Sequence, residues 1–64
     1  MKRYKVREIL RMLAEDGWVL KRQRGSHRQF VHPVKPGKVT VNNKSGDTLD
    51  QDILNSIFKQ AGWR

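Results

Sequence analysis

The chain has 64 residues, fourteen of them Lys or Arg against six Asp or Glu, which gives a formal net charge of +8 and a pI of about 10.7. It contains no cysteine, which excludes disulfides and thiolate metal sites, and it has no apolar run near the roughly 20 residues of a membrane span. The charge points to nucleic acid, since each phosphate neutralised by a cation releases counterions; an anionic membrane or an acidic protein is the other reading.

Residues 3 to 16 read as a helix. Val6, Ile9, Leu10 and Leu13 recur at i, i+3, i+4 and i+7 and form one apolar stripe. Gly17 is its natural stop, because glycine accepts the left-handed conformation just past a helix end. Arg3, Arg7 and Arg11 lie four apart beside that stripe, a ridge that is either the wet face of the helix or a phosphate contact. The basic N-terminus precedes no apolar stretch and so does not read as a signal peptide, and a cytoplasmic protein is expected.

Trp18 to Gln23 reads as a strand and His27 to His32 as a second. Pro33 and Pro36-Gly37 bracket the next turn. Lys38 to Asn42 alternates polar and β-branched residues, the pattern of a half-buried third strand, and Asn43 to Asp47 is a polar loop. A second helix is expected from Thr48, with Thr48 and Gln51 spaced as a capping box and Asp50 and Asp52 near the positive end of its dipole. Ile53, Leu54, Ile57, Phe58 and Ala61 make its apolar stripe, and Gly62 ends it.

The predicted fold is α+β, in the order α-β-β-β-α: a three-stranded antiparallel sheet with both helices on one face. This is the layout of the double-stranded-RNA-binding domain. A single domain of this size leaves no room for a deep pocket, so any site lies on the open sheet face.

Two hairpin registers are compatible with the sequence. A three-residue loop, Arg24-Gly25-Ser26, pairs Gln23 with His27, Lys21 with Gln29 and Leu20 with Phe30. It gathers Trp18, Leu20, Phe30, Val39 and Val41 in the core and sets Lys21, Gln23, His27, Gln29, Lys38, Thr40 and Asn42 on the open face. A two-residue Gly25-Ser26 turn is the rival, and it would pair Leu20 with Val31. The first is preferred because it sorts the largest apolar groups onto one side. His32 follows His27 by five residues, an odd offset that puts the two rings on opposite faces, so His32 reads as a structural residue at the sheet rim.

RNA carries its own nucleophile, the 2′-hydroxyl. A protein that cleaves it has to accept that proton and steady the charge that develops on phosphorus. Imidazole, with an ordinary pKa of about 6.5, is suited to the first task. Arg24, Arg28 and Lys21 are near enough in sequence to His27 for the second, and Ser26 and the amides of the Gly25 turn are candidates to hold a phosphate oxygen. Lys21, Gln23, Arg24, Gly25, Ser26, Arg28, Gln29 and Lys38 are therefore the candidate RNA contacts, with His27 as the candidate base. From these residues alone, a phosphate-binding histidine in a non-catalytic RNA-binding module reads the same way. No metal and no cofactor are expected.

The stretches Gly17-Trp18-Val19-Leu20, Gln23-Arg24-Gly25-Ser26-His27, Phe30, His32-Pro33 and Leu54 through Ile57-Phe58-Lys59-Gln60-Ala61-Gly62-Trp63 together resemble the HicA toxin family, in order and over nearly the whole chain. The resemblance implies a double-stranded-RNA-binding-like fold and a metal-independent mRNA interferase whose active histidine is the one in Gly-Ser-His, here His27. It also implies a HicB-type antitoxin that covers the site, and a bacterial or archaeal cytoplasm. The group that protonates the leaving oxygen is left open.

Overall fold

A computed structural model of the chain describes residues 3–44 and 46–63. The elements are α1 (Val6–Asp16), β1 (Val19–Arg24), β2 (His27–Val31), β3 (Val39–Val41) and α2 (Gln51–Gln60). The strands form one antiparallel sheet in the order β1-β2-β3. This is the α-β-β-β-α arrangement expected from the sequence. Ser45, within the expected polar loop, lies outside the described residues.

Both helices place their apolar stripes against one side of the sheet. Val6, Ile9 and Leu13 of α1 and Leu54, Ile57 and Ala61 at α2 form a single buried cluster with Trp18, Phe30, Val39, Val41 and Leu49. The cover is centred on β2 and β3. Every residue of β1 is exposed, and Leu20, assigned to the core by its hairpin pairing with Phe30, is 45% exposed. The pairing places Leu20 on the correct side of the sheet, but on an edge strand beyond the reach of the helices. Ile53 is likewise more exposed than its place in the α2 stripe implies, at 37%.

Both helices begin later than expected, for one shared reason. The chain before α1 runs extended and pairs with the chain before α2, through a bridge between Lys5 and Thr48. Leu49 N donates to Tyr4 O at 2.9 Å, and Val6 N donates to Asp47 O at 2.9 Å. Thr48 is thus engaged in pairing and is not a helix cap; Asp50 takes the N-cap position of α2. At α1 the cap is Lys5, whose N–H donates to Glu8 Oε1 at 3.0 Å. Arg3 precedes the helix, so the Arg3-Arg7-Arg11 ridge is broken at its first member.

Where α1 passes into β1, the carboxylate of Asp16 gathers three separate parts of the chain. Its Oδ2 accepts from Trp18 Nε1 (3.0 Å), Trp63 Nε1 (3.1 Å) and Lys35 Nζ (2.6 Å). Lys35 Nζ also donates to Ala61 O at 3.1 Å. The Lys35 ammonium, first of all, holds the Asp16 carboxyl below the usual range; partial desolvation opposes it, and the two indole N–H groups reinforce it. His32 completes the junction: its Nδ1 accepts from the backbone N–H of Val34 and Lys35, both at 3.0 Å. Nε2 therefore carries the ring hydrogen and donates to Asp16 O at 2.7 Å. The ring packs edge-on against Trp18, with centroids 5.2 Å apart.

Candidate functional site on the open sheet face

The β1–β2 hairpin closes through Gly25-Ser26, with Arg24 opposite His27. Gly25 stands at the first central position with φ 59°, and no described non-glycine residue has positive φ, as a type II′ turn requires. Gln23 pairs with Arg28 and Arg22 with Gln29, yet further down Leu20 pairs with Phe30 and Val19 with Val31. The register shifts between Leu20 and Arg22. Both hairpin readings are therefore half right: the two-residue turn holds at the tip, the Leu20–Phe30 pairing holds at the base, and a bulge at Lys21 absorbs the extra residue.

The bulge decides which side chains meet. Phe30 is buried against the helices, so His27 and Gln29, at odd offsets from it, face the open side. Their partners Arg24 and Arg22 face that side with them. Arg22, Arg24, His27 and Gln29 line one shallow depression. Lys21, Arg22, Gln29 and Lys38 line a second, so the bulge brings the consecutive residues Lys21 and Arg22 to the same surface. Of the residues expected around His27, Arg24 and Gln29 share its depression and Arg22 joins them, while Lys21 and Lys38 line the neighbouring one.

Two expected members are elsewhere. Gln23 and Arg28 form a cross-strand pair on the opposite side of the sheet from His27, and both brace the loops. Gln23 Nε2 donates to Gly25 O at 3.0 Å. Arg28 Nη1 donates to Asn43 O at 3.0 Å and reaches Ser26 O at 3.5 Å. With the two-residue turn in place, the parity of Gln23 is inverted relative to the preferred register; Arg28, at an even offset from the buried Phe30 on the same strand, faces away from His27 in either register. Gly25 is exposed at the turn, and Ser26 is half-buried beside it.

The two histidines differ in environment as much as in face. Both ring nitrogens of His32 are engaged. His27 is exposed, and among the described residues no hydrogen bond occupies its ring. The ion pairs among the described residues are Arg11–Glu15 and Lys35–Asp16, so Lys21, Arg22, Arg24 and Lys38 have no carboxylate partner there. Among the described residues no three His, Cys, Asp or Glu side chains are grouped so as to hold a metal ion. No helix among them is long and apolar enough to cross a membrane.

Arg22 was hidden in the sequence because a bulge leaves no pattern of its own in a run of consecutive polar residues. Asp16 was equally hidden, although two tryptophans whose indole N–H groups need acceptors and an acid adjacent to Gly17-Trp18 were the signals that pointed to it.

The chain is thus a small basic α-β-β-β-α domain whose open sheet face carries an exposed imidazole beside cations that have no ion-pair partner among the described residues. Its family follows from comparison: the chain belongs to the HicA toxin family, described as the HicA toxin of bacterial toxin–antitoxin, whose model matches residues 6–63. Membership in a toxin–antitoxin family implies an antitoxin as partner. No curated protein matches the chain significantly.

Proposed function

We propose that the chain is a metal-independent endoribonuclease that cleaves mRNA in the cytoplasm, with His27 as its general base, and that a HicB-like antitoxin neutralises it by covering the same face. The observation that carries this reading is the contrast between the two imidazoles. His32 is committed on both nitrogens to the Asp16 junction, while His27 stands exposed opposite Arg24 and beside Arg22.

In the reaction, His27 takes the proton of a ribose 2′-hydroxyl as the 2′-oxygen attacks the adjacent phosphorus. Arg24 and Arg22 offset the negative charge that builds on the phosphoryl oxygens. The P–O5′ bond breaks, leaving a 2′,3′-cyclic phosphate on one fragment and a 5′-hydroxyl on the other. The leaving oxygen takes its proton from water, and His27 returns its own to solvent. Base activation by one side chain contributes about 10²–10⁴ in rate, and the remainder falls to the cations.

The experiment is a pair of RNAs that differ only in the 2′ group. The all-ribose strand should be cut to cyclic-phosphate and 5′-hydroxyl ends, and the 2′-O-methyl strand should bind without being cut. Cleavage of the methylated strand would overturn the mechanism. Binding of both strands without cleavage of either would instead favour a non-catalytic RNA-binding module, for which the same cationic face serves.

A further inference from the structure

The two depressions on the open face share a wall. Arg22 and Gln29 belong to both; His27 and Arg24 complete the one near the hairpin tip, and Lys21 and Lys38 complete the one nearer the base. Only the first contains a group able to take a proton in the reaction above. The second holds Lys21, Arg22 and Lys38 around one neutral amide, with no carboxylate partner among the described residues. Like charges held this close repel one another, and an anion between them removes that cost.

The second depression exists because of the bulge. In a regular strand Lys21 and Arg22 would point to opposite faces; the register shift between Leu20 and Arg22 brings both to the same depression. Bulges re-aim side chains in this way beside functional sites.

The aromatic side chains indicate which part of a nucleic acid is held there. The chain has two Trp, one Tyr and two Phe, and Tyr4, Trp18, Phe30, Phe58 and Trp63 all lie in the core or pack against it. None is left to stack a base on the open face, so the phosphate backbone is what this surface can grip.

Resting on the ribonuclease reading above, we infer that Lys21 and Lys38, with Arg22 between the two depressions, form a second phosphate site. It binds the phosphate next to the scissile one and so positions a single strand across the open face, from hairpin tip to base. Lys21 and Lys38 bind the strand without taking part in the chemistry, while Arg22 contacts both phosphates.

The test compares the parent protein with a Lys21→Ala/Lys38→Ala variant. Affinity for a single-stranded 2′-O-methyl oligonucleotide, which is not cut, is measured across a salt series, and kcat and KM are measured on the matching ribose strand. The variant should bind several-fold more weakly, with a salt slope shallower by about 0.7, the value for one phosphate on a single strand. Its KM should rise with kcat retained, the mark of a group that binds ground state and transition state alike. An unchanged salt slope overturns the second site, and so does a fall in kcat at unchanged KM. A variant that shows the binding loss while neither protein cleaves the ribose strand supports the site and refutes the ribonuclease reading. A parent protein with no affinity for the strand refutes both.

Discussion

The Nε2 of His32 lies 2.7 Å from the main-chain oxygen of Asp16, and the same nitrogen stands 2.9 Å from the position that a Cβ on Gly17 would occupy. The turn from α1 into β1 is thus closed over the ring of the residue that follows β2. Gly17 itself has φ 98°, in the region that side chains disfavour. Gly17→Ala therefore meets two penalties: a left-handed backbone costing about 1–2 kcal/mol, and a clash with a ring whose hydrogen bonds fix it in place. Gly25→Ala meets only the first, since nothing lies within 4 Å of a Cβ there. Urea unfolding should show a clearly larger loss for Gly17→Ala; equal losses would mean that the His32 ring yields freely.

Asp16 supplies a pH dependence whose sign is fixed. Its carboxyl titrates lower in the folded chain than an ordinary aspartate does, through Lys35 first and the two indoles after. The unfolded chain therefore binds that proton at higher pH than the folded one does. The stabilisation is present in full above about pH 4 and is lost as pH falls through the folded value. The thermal midpoint of the parent should drop on acidification below that point, and Asp16→Ala should start lower at neutral pH and show less of that drop. Glu15→Ala, which loses only an exposed pair with Arg11, should behave as the parent. Identical acid profiles for the parent and Asp16→Ala would sink this account of the junction.

The arginines of the hairpin should divide by face. Arg22→Ala and Arg24→Ala remove cations from the depression around His27, so each should weaken RNA binding and reduce its salt slope by about 0.7. Arg28→Ala removes a hydrogen bond to Asn43 O on the other side. It should instead cost about 1 kcal/mol of stability and leave the salt slope unchanged. A salt-binding series on the three variants would contradict the face assignment if Arg28 carried the largest slope change.

The order of elements was legible because period and punctuation agree: the i, i+3, i+4, i+7 stripe of α1, the alternation in Lys38–Asn42 and the glycines at 17 and 62 each act locally. The helix starts were not, because the pairing of Lys5 with Thr48 joins segments more than forty residues apart and outcompetes a sound local cap. His27 reached the open face by either count, since its parity relative to Phe30 lies within one strand. Gln23 was misplaced because its parity depends on the turn, Arg28 was grouped with His27 by nearness in sequence although its even offset from Phe30 puts it on the other face, and Arg22 was missed because the correction lies in a bulge at Lys21. The residues that carry the family resemblance at Gly17-Trp18, His32-Pro33 and Gly62-Trp63 cluster around Asp16, where they hold the domain together.

The ribonuclease account rests on His27, and one comparison addresses it directly: cleavage of a single-stranded RNA by the parent and by His27→Ala, both in EDTA, with RNA affinity and thermal midpoint measured on the same preparations. His27 is exposed and its ring makes no hydrogen bond among the described residues, so its loss should change stability by no more than about 0.5 kcal/mol. Affinity should remain close to that of the parent, since Lys21, Arg22, Arg24 and Lys38 are untouched. Cleavage should fall by about 10²–10⁴, because His32 is committed on the far side of the sheet. Undiminished cleavage by the variant would contradict the catalytic role of His27, and loss of the parent's cleavage in EDTA would contradict a mechanism that needs no metal.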